Sequence, residues 1–206
     1  MSTTPIPVTG LVLMIAVLLA QRLFELWLSA RHLPLLRARG AVERGGSDFA
    51  GIVALHALFP LALVAEVVAD GARPPAFWPW LLVPVALGAA LRIAAMRTLG
   101  DRWHVRVWVV PGEAPVRRGI YRWLAHPNYV AVVLEFATIP LLFGAVMTAV
   151  AASLVNAGLL AMRIEAEERA LRWAAEVSPS PLSTQRRDPE PLGTTGARGN
   201  VTGTGA

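Results

Sequence analysis

The feature that most constrains this chain is a series of apolar blocks long enough to cross a lipid bilayer. The blocks run approximately from Ile6 to Leu28, Phe49 to Ala69, Trp80 to Met96, Tyr129 to Phe143 and Val146 to Met162. A transmembrane helix needs about 20 apolar residues. Only 16% of the 206 residues are charged and 55% are hydrophobic, too few polar groups to coat a water-soluble globule. We therefore predict an all-α integral membrane protein with about five transmembrane helices.

The last two blocks predict a tight C-terminal helical hairpin. Only Gly144 and Ala145 separate them, and neither block alone makes a comfortable full span. The turn carries no charge, so we expect it at or near the far face of the membrane. The first arm should begin at Pro127, because a residue before proline is biased away from helical dihedrals. The second arm should continue as a charged helix over residues 163–176.

Composition divides the chain into three regions. Residues 1–97 hold the first three predicted transmembrane helices, and residues 98–176 hold a cytoplasmic loop, the hairpin and the charged helix. Within the loop, residues 107–110 predict a short strand, followed by a turn at Pro111 and Gly112. Residues 177–206 are rich in Pro, Ser, Thr and Gly and show no apolar period, so we expect a disordered tail.

The positions of the basic residues, all 19 of which are arginine, predict the orientation in the membrane. Nearly all of them follow the first, third and fifth blocks, whereas the link at residues 70–75 is electrically balanced. Because basic loops are retained in the cytoplasm, we predict an outside N-terminus and a cytoplasmic C-terminus. The same rule explains the net charge of +5, so no nucleic-acid partner is expected.

Residue usage also excludes some kinds of chemistry. The chain has no cysteine, which rules out disulfides, thiolate metal sites and a cysteine nucleophile. The sequence predicts no metal site and indicates no obligate protein partner.

Polar side chains stand where the predicted hairpin enters and leaves the membrane. His126 and Tyr129 lie at its entry, and Glu167 and Glu168 lie at its exit. A tight antiparallel hairpin brings these ends together, which predicts an interfacial pocket on the cytoplasmic face. The alternative is that His126 and Tyr129 are ordinary interfacial anchors. Two pairs on the charged helix have the spacing of surface salt bridges: Glu165–Arg169 and Glu168–Arg172.

Three ionisable residues, Glu25, Glu66 and His56, fall inside apolar blocks. Such residues usually face a cavity or a partner. Arg22 is three positions from Glu25, a spacing at which the two can neutralise one another. A small non-enzymatic membrane transporter or assembly protein would use the three ionisable residues as an intramembrane relay, which is one alternative for the function.

The pattern Gly-x-Tyr-x-x-x-x-His-Pro-x-Tyr, an apolar hairpin of this length and then Arg-x-x-x-Glu-Glu resembles the isoprenylcysteine carboxyl methyltransferase family. The matched residues are Gly119, Tyr121, His126, Pro127, Tyr129, Arg163, Glu167 and Glu168. The resemblance covers about residues 100–171. It departs from the family at Ala125, where arginine usually precedes His-Pro; Arg122 and Arg102 are candidates to replace that cation.

Two further segments, residues 21–32 and 100–104, resemble bacterial members of the family that methylate alkylpyrones or alkylresorcinols beside type III polyketide synthases. This resemblance implies a bacterial membrane enzyme that uses S-adenosylmethionine to O-methylate a lipophilic acceptor from the bilayer, either an alkylpyrone or alkylresorcinol or a lipid carboxylate. The hairpin pattern is similarly close to phospholipid and sterol-reductase-like enzymes, so a NADPH-dependent membrane reductase is a second alternative.

The resemblance also implies roles for individual residues. The matched residues Gly119 to Glu168 would form the cofactor site, with Tyr121, His126 and Tyr129 lining it. Either Glu167 or Glu168 would bind amino or ribose groups of the cofactor. Arg102 and His104 are candidates for orienting the acceptor oxygen, and Glu25 is a candidate on the lipid side.

Overall fold

The computed structural model describes residues 8–45, 49–71 and 73–177. In chain order its helices and strands are α1 (Val8–Ala38), β1 (Val42–Glu43), α2 (Phe49–Asp70), α3 (Trp78–Leu99), β2 (Trp108–Val109), α4 (Pro127–Leu142) and α5 (Val146–Glu176). Two short 3₁₀ turns, Gly100–Arg102 and Gly119–Arg122, lie between α3 and α4. The predicted start at Ile6 and the predicted disordered tail from Ser178 lie outside the described residues.

The predicted class, an all-α membrane protein, is confirmed, but the spans are not equal. Four helices are long and apolar enough to cross a membrane: α1, α2, α3 and α5. α4 has 16 residues and rises about 24 Å, less than the hydrocarbon core of about 30 Å. It is the fourth predicted block. Unlike the other spans, it lies in the middle of the bundle, with more than half of its residues buried.

α4 packs between α3 and α5, and the core forms around it. Phe136 on α4 packs edge-on against Phe59 of α2, with ring centroids 4.6 Å apart. Gly88 allows α3 to approach closely, because a Cβ there would lie 3.3 Å from the Ala131 carbonyl oxygen of α4. Large apolar side chains on the outer helices, such as Leu61 and Leu154, are exposed, as expected for a surface that faces lipid.

The hairpin turn is at Gly144 and Ala145, as predicted, and Gly144 has a φ of 77°. Glu66 of α2 fixes the start of α5, because its carboxylate accepts hydrogen bonds from the backbone N–H of Met147 (2.9 Å) and of Thr148 (2.6 Å). These amides have no partner inside a helix, so the contact satisfies them and anchors α2 to α5 at this face.

At the arginine-rich end of the bundle, one expectation is corrected and another is extended. α1 continues to Ala38 through the predicted basic loop, because nothing in that segment except Pro34 opposes a helix. The predicted strand exists as β2, but it pairs antiparallel with β1, which the sequence did not predict. The ribbon packs on the charged end of α5, where Val107 and Val109 contact Ala170 and Ala174.

Candidate active site at the ends of the α4–α5 hairpin

The two ends of the hairpin meet in a group of five polar side chains, which we call the hairpin-end group: His126, Tyr129, Arg163, Glu167 and Glu168. The Tyr129 hydroxyl donates a hydrogen bond to the Glu167 carboxylate, and Arg163 Nε donates to that hydroxyl at 3.3 Å. The ring nitrogens of His126 lie 3.9 Å from Glu167 Oε2 and 3.8 Å from Glu168 Oε1. The approach of the hairpin ends that the sequence predicts is therefore observed.

Local structure explains how these side chains come together. Pro127 is the first residue of α4, and His126 precedes it with a non-helical φ of −129° and ψ of 63°. The His126 ring stacks on Tyr129 in the first turn, with centroids 5.2 Å apart and planes 15° apart. On the other arm, Arg163 and Glu167 are one helical turn apart on α5, which runs without a break from the apolar segment into the charged one.

Arg163 connects the hairpin-end group to the loop between α3 and α4. Its side chain is buried, and Nη2 donates a hydrogen bond to the Val105 carbonyl oxygen at 2.7 Å. The loop carries β2, whose contacts with α5 fix its position. The group is thus assembled from both hairpin arms and the loop, which restricts the positions of its side chains.

The second 3₁₀ turn supplies a further tyrosine. Burial, followed by the negative charge of Glu167, raises the pKa of Tyr121 well above its ordinary value, so the phenol stays neutral and can donate a hydrogen bond. Gly119 begins this turn with a φ of 55°, and a Cβ there would lie 2.6 Å from Thr98 Oγ1. Glycine is therefore required both by the backbone conformation and by the close approach of the turn to α3.

An open groove of about 380 Å³ leads from this group along the outside of the hairpin. It is lined by Leu124, Ala125, His126, Tyr129, Val130, Val133, Leu134, Leu160 and Ile164. His126 and Tyr129 are its only polar lining residues, and both belong to the hairpin-end group. The groove therefore joins an apolar surface inside the membrane to a polar group at its edge.

The structure gives Arg102 and His104 partners in the loop between α3 and α4. Arg102 forms an ion pair with Glu113 at 2.6 Å. Burial lowers the pKa of His104 to about 4, and its Nδ1 accepts a hydrogen bond from the backbone N–H of Arg106 at 2.9 Å. His104 is therefore neutral at physiological pH. The role of these two residues in orienting an acceptor oxygen stays a prediction. Arg122, the other candidate cation, lies over the exposed ring of Trp123.

Comparison with known proteins identifies the family. The family model of the isoprenylcysteine carboxyl methyltransferase (ICMT) family matches residues 80–173, which contain the whole hairpin-end group and the groove. The chain belongs to the ICMT family. It is therefore a multi-pass membrane methyltransferase, and the region with the site is the region that the family shares.

Two relatives are similar to this chain over most of its length. The uncharacterized protein YpbQ of Bacillus subtilis is 38% identical over 160 residues, which cover 78% of this chain and 95% of the relative. An uncharacterized protein of Haemophilus influenzae is 26% identical over 157 residues, which cover 76% of this chain and 91% of the relative. No solved structure shows a significant match to the chain.

Inside the membrane, this ICMT-family protein contains a group of four charges, which we call the intramembrane ion cluster: Arg22, Glu25, Arg92 and Glu135. Three of them are buried, and Arg22 is partly buried. Glu135 accepts hydrogen bonds from Arg22 at 2.7 Å and from Arg92 at 2.6 Å. Glu25 pairs with Arg22 at 3.0 Å and with Arg92 at 3.4 Å. The predicted Arg22–Glu25 contact is thus present, but it is half of a neutral cluster of two cations and two anions that links α1, α3 and α4.

The ion cluster also reaches the hairpin-end group through the backbone of α4. Arg92 Nε donates a hydrogen bond to the Asn128 side-chain oxygen at 3.2 Å, and Asn128 lies between Pro127 and Tyr129. The sequence interpretation missed Asn128 and Glu135 as members of a polar network. Glu135 is an ionisable residue inside an apolar block, which is the same feature that singles out Glu25.

The intramembrane relay of the transporter alternative is not observed. Glu66 bonds the first turn of α5, His56 Nδ1 donates to the Ile52 carbonyl oxygen at 2.8 Å, and Glu25 belongs to the ion cluster. Within the part of the chain that the structure describes, no hydrogen bond or ion pair joins these three side chains to one another. Each of the three therefore has its own local partners, and the candidate role of Glu25 on the lipid side stays a prediction.

Proposed function

We propose that this membrane methyltransferase uses S-adenosylmethionine to methylate an oxygen of a lipophilic acceptor, at the cytoplasmic face of a bacterial cell membrane. The observation that carries the proposal is the junction of the hairpin-end group with the apolar groove at His126 and Tyr129. A polar, acidic group suits a charged cofactor, and the groove suits the apolar chain of a lipid. The hairpin-end group and the groove meet at one face of the membrane.

The residues present fit the chemistry of S-adenosylmethionine. The cofactor bears an ammonium group, a positively charged sulfur and ribose hydroxyls, all of which a carboxylate can bind. Glu167 and Glu168 supply two carboxylates, and about half of the Glu168 side chain is exposed. Both nitrogens of His126 lie beyond hydrogen-bond distance of these carboxylates, so the ring retains capacity to bind a ligand.

Each member of the site has a role in this proposal. Glu167 or Glu168 holds the amino or ribose groups, and the neutral Tyr121 phenol donates a hydrogen bond. His126 and Tyr129 form a stacked wall between the cofactor site and the groove. Arg163 orients the Tyr129 hydroxyl, while Gly119 and Pro127 set the backbone turns that shape the site. When bound, S-adenosylmethionine supplies a methyl group activated on a positively charged sulfur.

The groove favours an acceptor with an alkyl chain and a weakly acidic oxygen. Its lining contains no arginine, and Ala125 occupies the position where the family usually has one. Among the described residues, the cation beside the groove is Arg163, which donates to the hydroxyl of the lining residue Tyr129. An acidic enol of the alkylpyrone type suits this site, because it arrives already ionised and needs no strong base. Apolar walls also exclude water from it.

The test is titration calorimetry of the detergent-solubilised protein, first with S-adenosylmethionine and then with NADPH. We expect S-adenosylmethionine to bind and NADPH not to bind. Transfer of labelled methyl to an alkylpyrone or alkylresorcinol would then identify the acceptor class. Binding of NADPH alone would favour the reductase alternative, and binding of neither cofactor by folded protein would contradict an enzymatic role for the site.

A further inference from the structure

A second cavity lies at the cytoplasmic end of α3, apart from the groove. It is open, measures about 300 Å³ and is lined by Arg102, Val116, Arg117 and Arg118; we call it the arginine cavity. Arg117 and Arg118 are exposed, and their side chains form no hydrogen bond or ion pair with the residues that the structure describes. The cavity therefore presents two uncompensated positive charges.

The third arginine is only partly neutralised. Arg102 pairs with Glu113 at 2.6 Å, but the same carboxylate also accepts two hydrogen bonds from Arg39, at 2.6 and 2.7 Å. One carboxylate thus pairs with two guanidinium groups, so the surroundings of the cavity keep a net positive charge. Guanidinium groups present paired N–H donors that match the oxygens of a phosphate, so an anion of this kind is the expected occupant.

The segment that forms the cavity is held against the rest of the protein at both ends. The backbone N–H of Gly112 donates to the Ala174 carbonyl oxygen of α5 at 2.7 Å, and Gly119 lies against Thr98 at the end of α3. The arginines therefore stand on a fixed loop next to the point where α3 leaves the membrane. The backbone that carries them is therefore held in place, while the side chains of Arg117 and Arg118 stay exposed.

Neighbouring residues have the character of a membrane interface. Trp123 is 83% exposed, and the Arg122 guanidinium lies over its ring with 5.7 Å to the centroid. Tryptophan and arginine together are typical of the level of lipid headgroups, and clustered basic residues beside a transmembrane helix attract anionic lipids. We propose that the arginine cavity binds the phosphate of an anionic membrane phospholipid.

Lipid titration followed by native mass spectrometry tests this site in the detergent-solubilised full chain. Phosphatidylglycerol is the anionic probe, and phosphatidylcholine is the control, because its choline cation is repelled by the arginines. We expect phosphatidylglycerol to bind more tightly, and Arg117→Gln and Arg118→Gln each to weaken its binding by about fivefold. Arg169→Gln is the matched control, since that arginine pairs with Glu165 on an exposed helix face, and it should leave binding unchanged.

A second variant separates the cavity from general attraction between charges. Val116→Phe fills the cavity without changing the net charge, so it should also weaken phosphatidylglycerol binding. Equal binding by the parent, Val116→Phe and the two arginine variants would overturn the proposal. So would equal affinity for the two phospholipids.

Two further measurements identify the source of the anion. Inorganic phosphate at the concentration of the lipid should not displace phosphatidylglycerol; displacement would show a site for soluble anions and overturn the lipid assignment. S-adenosylmethionine affinity should be the same in Arg117→Gln and Arg118→Gln as in the parent. A parallel loss of cofactor binding would show that the cavity holds the cofactor carboxylate instead. These outcomes do not depend on which acceptor is methylated.

Discussion

The Tyr129 hydroxyl donates a hydrogen bond to Glu167, a residue 38 positions further along the chain on the other arm of the hairpin. Arg163 donates to the same hydroxyl, so one phenol receives and gives a hydrogen bond at the junction of α4 and α5. A ligand that binds the Tyr129 hydroxyl or the Glu167 carboxylate competes with a hydrogen bond that joins the two arms. The arms should therefore act together in binding.

The first prediction concerns this coupling. His126→Ala and Glu167→Gln should each weaken S-adenosylmethionine binding, because each removes a hydrogen-bonding group of the proposed cofactor site. We expect a loss of about 1.5–3 kcal/mol, or about tenfold to a hundredfold in affinity, measured by titration calorimetry. Since the two groups share one ligand, the double variant should not show the simple sum of the single losses.

Glu165→Gln is the control for this prediction. Glu165 lies on the exposed face of α5 and pairs with Arg169, so its substitution should change cofactor affinity by less than about 0.5 kcal/mol. If folded His126 and Glu167 variants bound the cofactor as tightly as the parent, the two residues would be interfacial anchors.

The hairpin and its polar ends could be predicted because each rests on a local signal. Gly144 and Ala145 interrupt a long apolar run, and Pro127 sets the start of α4. The salt bridges Glu165–Arg169 and Glu168–Arg172 follow from helical spacing alone and are confirmed. Because the chain reverses at this turn, the approach of His126 to Glu167 can be predicted without knowing how the other helices pack.

The features that could not be predicted from the sequence depend on contacts between segments that are distant along the chain. Glu135 is one charge in an apolar helix, and only the packing of α1 and α3 against α4 shows that two arginines neutralise it. β1 has two residues, too few for any alternating pattern, and exists because β2 pairs with it. The extension of α1 to Ala38 was missed because a run of arginines resembles a loop in hydropathy but does not oppose a helix.

A second prediction concerns the intramembrane ion cluster. Glu135→Gln leaves the buried Arg92 and the partly buried Arg22 with the single carboxylate of Glu25, so one positive charge is uncompensated in a poorly solvated position. We expect the free energy of unfolding in detergent to fall by about 3–5 kcal/mol. Arg92→Met with Glu135→Leu removes one charge of each sign and leaves the Arg22–Glu25 pair, so the double variant should be more stable than Glu135→Gln. A stability loss no larger than that of Glu165→Gln would contradict this account.

A third prediction follows from the low pKa of His104. Burial lowers this pKa from 6.5 to about 4, so between these pH values the unfolded chain binds a proton that the folded protein does not. The contribution of His104 to stability is therefore complete above pH 6.5 and is lost as the pH falls toward 4. Thermal unfolding of the parent and His104→Gln over this range should show the parent losing stability relative to the variant. A difference that does not change with pH would show that burial does not perturb this histidine.

The last prediction concerns orientation. The structure already groups the connecting segments by face: the backbone N–H of Arg73 bonds the Phe143 carbonyl oxygen at 3.2 Å, which puts the α2–α3 link beside the hairpin turn. At the opposite end, the β1–β2 ribbon packs on the charged end of α5. Most of the arginines that the structure describes lie at this second end, so reporters fused at Gly45 or Gly112 should be cytoplasmic and one fused at Gly71 should be outside. A cytoplasmic signal from Gly71 alone would invert the orientation and move the hairpin-end group to the outer face, away from a cytoplasmic supply of cofactor. Cytoplasmic signals from all three positions would contradict the crossing of α2 itself.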